Sequence, residues 1–308
     1  MYIYMDKILC CIPARYESKR LPGKPLLKIN DKTIINLVYE KALKTKVSDV
    51  VILTDDKRIY DEVISFGGNC FIITEDCLNG TDRIIKYLEK IDNSQYDIIV
   101  NLQGDEPFID PNVVNEIIDN QIEKKPECST VCFKTNNKEE ILSKSRGKAV
   151  VDNFNNIIYC SRNVIPTNKN ENIIENHLYN IHVGIFVYDK KYLLNHFNRE
   201  NTKNQLLEDI EWLKIIEQGY KINTIFSEEL ERGIDTIEDY NYLKNKYNIM
   251  KIASFVPIKL NSERLPDKML LPIGNKLLCQ HIFDILLEVK KSINMDIYCF
   301  CSDEKIKQ

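Results

Sequence analysis

The sequence predicts an α/β fold: a doubly wound, mostly parallel sheet with an inserted substrate-binding part. Three observations carry that prediction. Residues 1–120 alternate short apolar runs with amphipathic helical segments, the pattern of a parallel sheet covered on both faces. Polar residues gather just past the apolar runs, where such sheets bind ligands. The opening strand–loop–helix pattern then returns near the C-terminus.

Lys7 to Ile12 reads as the first strand, opening into IPARYESKRLPGKP (Ile12 to Pro25) with Arg15, Lys19, Arg20, Lys24 and a Pro22-Gly23 turn. Cations crowded on a turn behind a buried strand suit a triphosphate, whose charge they share with backbone N–H groups. A solvated basic surface loop has the same composition. Thr33 to Thr45 has helical spacing, and Asp49 to Leu53 is a strand ending at Thr54-Asp55-Asp56. Lys57 to Phe66 fits a helix stopped by Gly67-Gly68, and Cys70 to Ile73 a third strand. Asp82 to Ile91 is a helix entered through Gly80-Thr81, and Tyr96 to Leu102 a fourth strand. The strand ends place Arg15 to Lys24, Thr54-Asp55, Gly80 to Arg83 and Gln103 to Glu106 around one crevice.

Further along, Ser129 to Lys134, Ala149 to Asp152, Ile157 to Cys160 and Ile181 to Tyr188 read as strands. Lys190 to Phe197 and Leu206 to Glu217 read as helices, the latter ended by Gly219, and 167–176 as a loop or flap. Leu230 to Thr236 leads into a last helix, Ile237 to Tyr247. The expected domains are 1–248, with a nucleotide part at about 1–125 plus 230–248 and an inserted substrate-facing part at about 126–229, and then 249–308.

The 42 Lys and Arg against 46 Asp and Glu give a net charge of −4, which excludes general attraction to nucleic acid or anionic membrane. No apolar run reaches the ~18–20 residues of a membrane span, and the N-terminus lacks a signal-peptide layout, so a cytoplasmic location is expected. The ten cysteines sit in strand-like runs or singly with no CxxC pair, and are expected to be reduced core thiols rather than metal ligands or disulfides.

From Lys251 the chain restarts. Ile12 to Lys24 matches Val256 to Lys268 without a gap, and Leu26 to Lys32 matches Leu270 to Lys276. Thr54-Asp55-Asp56-Lys57 corresponds to Ser302-Asp303-Glu304-Lys305 with four extra residues in the second copy. Arg15 becomes Lys259 and Gly23 becomes Asp267, an acid that opposes anion binding in the turn. The segment 249–308 is too short to complete such a sheet and is expected to be the incomplete N-terminal piece of a second module, leaving catalysis to the first copy.

Asp105, in Gln103-Gly104-Asp105-Glu106-Pro107, follows an apolar strand, where a carboxylate faces the crevice; Asp235, in Gly233-Ile234-Asp235-Thr236, suits either a metal or a cap for the last helix. With IPARYESKRLPGKPL, TDD, NGTDR, VNLQGDEP, YCSRNVIP, HVGIF, IEWLKIIEQGYKI and GIDTIEDY running in order, residues 1–248 resemble the 3-deoxy-manno-octulosonate (KDO) cytidylyltransferases. Through FVPIKLNSERLPDK and LPIGNKLLCQHIF, residues 251–308 are similar to the start of an acylneuraminate cytidylyltransferase.

The resemblance implies a Rossmann-like nucleotide-diphospho-sugar transferase fold. It implies a homodimer and Mg²⁺-dependent transfer of CMP from CTP to an acidic 3-deoxy sugar, foremost KDO, for lipopolysaccharide or surface-glycan synthesis. On the matching positions, Arg15 and Lys24 would bind the triphosphate, helped by Arg20, Thr81, Arg83 and Gln103. Asp105 and Asp235 would hold the metal. Gln103, Arg162, His182 and Glu211 would surround the sugar, Arg162 on its carboxylate and His182 and Glu211 on hydroxyls. No nucleophile–base pair is visible, which fits direct displacement without a covalent intermediate. Trp212-Leu213-Lys214 departs from the Gln-Leu-Arg of many relatives and opens the choice of sugar. The alternatives are activation of a sialic, legionaminic or pseudaminic type of acid, or a non-catalytic assembly module.

Overall fold

The computed structural model describes residues 7–18, 20–170, 173–197, 200–228, 231–247, 252–258, 264–291 and 295–301. Lys19, Lys259, and the Ser302 to Lys305 match lie outside them. Two compact units form, Met1–Asn245 and Lys246–Gln308.

In the first unit, β1 (Ile8–Ala14) leads through a short 3-10 turn, Lys24–Leu26, to the hairpin β2 (Lys28–Ile29) and β3 (Lys32–Thr33). Then follow α1 (Ile34–Ala42), β4 (Asp49–Thr54), α2 (Lys57–Ser65), β5 (Cys70–Ile72), α3 (Gly80–Lys90) and β6 (Ile98–Leu102). Asp56 and Asn79 cap α2 and α3 by accepting from the backbone N–H groups of Arg58 and Asp82. After α4 (Pro111–Lys124) come β7 (Cys128–Thr135), α5 (Lys138–Leu142), β8 (Lys148–Val151), β9 (Ile157–Ser161) and β10 (Tyr179–Asp189). The turn α6 (Lys190–Tyr192) runs on as a π-helical segment, Leu193–Phe197. Helices α7 (Lys203–Glu208) and α8 (Leu213–Glu217), strand β11 (Ile222–Ser227) and α9 (Ile237–Lys246) complete this part.

One sheet joins the strands in the order β11-β7-β10-β6-β1-β4-β5, with β8 and β9 attached beside β10. β6, β1, β4 and β5 run parallel, as the strand–helix alternation predicts, while β10 enters antiparallel between β6 and β7. β1 is almost wholly buried, and Leu9 and Cys11 on one face pack in the core with Ile84, Ile85 and Leu88 of α3. The parallel half therefore ends its strands along one edge, and the loops past that edge carry the polar residues.

Three features differ from the sequence reading. Leu206 to Glu217 is two short helices, because Asp209 adopts φ 52° and ends α7 in a left-handed turn. The long helix α4 and the strand β11 join the layers unforeseen. The cysteines were expected in the core, but Cys299 is exposed.

The second unit repeats the first, at a constant offset as far as the start of its helix. β12 (Ile252–Ile258) precedes a 3-10 turn, Lys268–Leu270, the hairpin β13 (Pro272–Ile273) and β14 (Lys276–Leu277), helix α10 (Leu278–Lys290) and the parallel strand β15 (Met295–Cys301). Ile258 pairs with Cys301 where the equivalent Ala14 pairs with Thr54. Among the described residues, no helix is long and apolar enough to cross a membrane.

Candidate functional site

The basic loop is built around Tyr16. The N–H groups of Ser18 and Gly23 both donate to the Tyr16 carbonyl, at 2.9 Å each. Gly23 sits at φ 69°, where a residue with a side chain is strained, and a Cβ there would lie 3.2 Å from the Tyr16 ring. The turn delivers Lys24 to the C-terminal edge of the sheet. Its ammonium donates to Asp105 Oδ2 at 2.7 Å and to the Ile234 carbonyl at 2.7 Å, and lies 3.8 Å from Asp235 Oδ1. Arg20 adds an ion pair to Asp235 at 3.1 Å. Arg15 stands exposed at the end of β1.

Two carboxylates from distant parts of the chain thus converge on one loop lysine. Asp235 is free to do so because it does not cap α9. Thr236 and Asp239 exchange that duty, Asp239 accepting from the Asp235 and Thr236 N–H groups and Thr236 Oγ1 accepting from the Asp239 N–H. Burial and the neighbouring Asp105 charge push the Asp235 carboxyl up, against the pull of Lys24 and Arg20. Burial does the same to Glu106, wedged where a Cβ on Gly233 would fall 2.7 Å from its Oε1. The described residues hold no cluster of three or more His, Cys, Asp or Glu suited to a metal. Mg²⁺ takes one or two carboxylates and fills its shell with phosphate oxygens and water. Asp105 and Asp235, mutually repelling and already sharing a cation, fit that donor set.

Beside this centre, Arg83 is buried and pairs with Asp55 at 2.6 Å, while its Nη1 is buried without a hydrogen-bond partner. Gln103 donates from Nε2 to Asn101 Oδ1 at 3.3 Å. His182, on β10 just before a register shift, is half-buried between Phe186 and Trp212, with Nε2 2.9 Å from Thr130 Oγ1. Burial holds its ring down to about 3, so it is neutral. Burial pushes Glu211 up to about 7, with contact from Thr81 opposing.

Two expected roles are not what the geometry presents. Thr81 was expected on the nucleotide, yet its side chain is buried and its hydroxyl accepts from Asn101 Nδ2 at 3.2 Å. Arg162 was expected on the sugar carboxylate. Instead its guanidinium donates to the backbone carbonyls of Glu208, Lys144, Ser145 and Asp209, at 3.1, 3.1, 3.3 and 2.7 Å. Four of its five N–H donors are spent on loop backbone, so in this state it ties 144–145 to 208–209. The fully buried Lys148 reinforces the tie, donating to the carbonyls of Ser143, Arg146 and Arg162 at 2.6–2.7 Å. Sequence reasoning missed Lys148 and Asn101; their signals were a lysine and an asparagine at inward positions of apolar strands.

A family model described as Cytidylyltransferase matches residues 9–231. The chain is 39% identical over 250 residues to the 3-deoxy-manno-octulosonate cytidylyltransferase of Fusobacterium nucleatum subsp. nucleatum, covering 80% of this chain and 100% of that protein. It is 36% identical over 244 residues to the mitochondrial 3-deoxy-manno-octulosonate cytidylyltransferase of Arabidopsis thaliana, covering 79% and 83%. Among solved structures, a CMP:2-keto-3-deoxy-manno-octonic acid synthetase complexed with CTP aligns at a TM-score of 0.72 and 34% identity, covering 78% of this chain and 98% of that one.

Proposed function

The chain belongs to the cytidylyltransferase family, and we infer from that membership that it transfers CMP from CTP to KDO, giving CMP-KDO and pyrophosphate. The observation that carries the reading at the site is the meeting of Lys24 with Asp105 and Asp235, which sets a phosphate-binding cation beside a magnesium-type carboxylate pair.

The chemistry asks for an in-line attack of the sugar's anomeric hydroxyl on the α-phosphorus, with pyrophosphate leaving from the opposite side. Positioning and charge neutralisation supply most of the acceleration in such transfers. Lys24, Arg20 and Arg15 face the triphosphate, the arginines able to fork across two oxygens and the lysine acting as a point charge. Mg²⁺, held by Asp105 and Asp235, supplies charge neutralisation at the reacting phosphate when bound. Gln103, neutral His182 and Glu211 line the sugar side; the uncharged imidazole can hydrogen-bond a hydroxyl without repelling a cation. Arg162 orders the loop behind them.

The reading extends to a homodimer, a cytoplasmic location and a product for lipopolysaccharide or surface-glycan synthesis, all supported by the family resemblance. The second unit reads as related to nucleotidyltransferase modules of acylneuraminate type, supported by its repeat of the 3-10 turn, hairpin and helix.

Pyrophosphate release from CTP and Mg²⁺ across a panel of sugar acids tests this function. Release is expected with KDO and not without a 3-deoxy-ulosonic acid. Turnover of a sialic-type acid with none for KDO would replace the substrate, and release with no acid in the panel would overturn the reading.

A further inference from the structure

The loop that carries Asp235 is fastened at two levels. The Ile234 N–H donates to the Asp105 carbonyl at 2.9 Å, and Asp239 Oδ2 accepts from the N–H groups of Asp235 and Thr236 at 3.1 and 3.0 Å. Behind these bonds stands Arg232. Its Nη1 lies 3.7 Å from Asp239 Oδ1, and its guanidinium covers the Tyr242 ring, 4.5 Å from the centre. Its Nη2 donates to Glu140 Oε1 at 3.3 Å, in the short helix α5 of the inserted part, 92 residues earlier in the chain.

The other oxygen of Glu140 is committed in the opposite direction. Oε2 faces Arg146 Nε at 3.1 Å, an ion pair without hydrogen-bond alignment. Arg146 sits in the loop whose carbonyls Arg162 and Lys148 hold. The next residue, Gly147, accepts the His182 N–H at 2.9 Å, which joins this loop to the sugar side. Each oxygen of one carboxylate therefore holds an arginine from a different wall of the site. The Glu140 side chain is 18% exposed and that of Arg146 19%, so solvent screens this pair less than an ordinary surface bridge.

We propose that Glu140 is a positioning residue that sets the sugar-binding wall in register with the loop bearing Asp235, through Arg146 on one side and Arg232 on the other. The proposal rests on the cytidylyltransferase reading of the site. In-line transfer needs the attacking hydroxyl aligned with the α-phosphorus, and different parts of the chain hold the two. A misplacement of about 1 Å between them can cost on the order of 10²-fold in rate. Each substrate binds through contacts within its own wall, so a loss of register falls on kcat.

Glu140→Gln keeps the shape and removes the second acceptor, since an amide has one carbonyl oxygen to offer two guanidinium groups. Its kcat is expected to fall about tenfold or more, on the scale of such a misplacement, while KM for CTP and for the sugar acid stay within about threefold. Arg146→Met and Arg232→Met should each reproduce that split. Glu140→Gln combined with Arg232→Met should be no worse than the poorer single variant, since both cut one tie. Amide exchange in the ligand-free protein separates the two sides. The Asp235 and Thr236 N–H groups should exchange faster in Arg232→Met and at the wild-type rate in Arg146→Met, where Glu140 still holds Arg232. Unchanged kcat in Arg146→Met, losses that fall on KM instead of kcat, additive losses in the double variant, or equal exchange in the two arginine variants would each overturn the proposal. The exchange measurement uses no substrate, so failure of the tie is distinguished from failure of the functional reading.

Discussion

The two copies share the turn and hairpin that follow the loop and differ in what surrounds them. Gly23 at φ 69° and Asp267 at φ 55° occupy the same left-handed position before the 3-10 turn. The N–H of Leu26 donates to Gly23 O at 2.9 Å, and that of Leu270 to Asp267 O at 2.8 Å. The hairpin ion pairs Lys32–Glu40 and Lys276–Asp284 are both 2.5 Å. Lys24, however, is half-buried against Asp105 and Asp235, whereas Lys268 is exposed. Cys11 of β1 is 0% exposed, and its counterpart Phe255 of β12 is 68% exposed. Turn chemistry shapes the loop locally, and it survives copying. A site also needs carboxylates supplied by remote segments, as Asp105 and Asp235 are supplied to Lys24.

The largest expected effect sets the two lysines against each other. Lys24→Met should lower kcat/KM by about 10²–10³-fold, the scale of removing one preorganised charge-stabilising donor. Lys268→Met should leave turnover within twofold. Steady-state pyrophosphate release measures both, and equal losses would break the comparison.

A smaller effect should follow from making the first loop resemble the second. Gly23→Asp places a carboxylate beside the phosphate-binding cations and a Cβ against the Tyr16 ring. CTP affinity should weaken about tenfold, or ~1.4 kcal/mol, as read by titration calorimetry. Unchanged affinity would mean that the turn residue does not separate the copies.

How much could be read beforehand follows the same division between local and remote. The strands of the parallel half, the basic loop and the repeat were legible because period, turn residues and apolar runs are local signals. Helix α4 was legible too, in Asp110-Pro111, an N-cap followed by proline at the first helical position, but went unread. Asp105 stood out as a carboxylate past a strand end, whereas its meeting with Asp235 came from resemblance, since nothing local joins them. That Arg162 spends its donors on carbonyls is a tertiary fact without a sequence period. The break at Asp209 also escaped, because a left-handed aspartate is invisible to helical spacing.

The number of CTP molecules bound per chain tests the central claim most directly. Calorimetric titration of CTP with Mg²⁺ present should find one site per chain, lost in Lys24→Met and retained in Lys268→Met. Two sites per chain, or binding that survives Lys24→Met and disappears in Lys268→Met, would contradict the account.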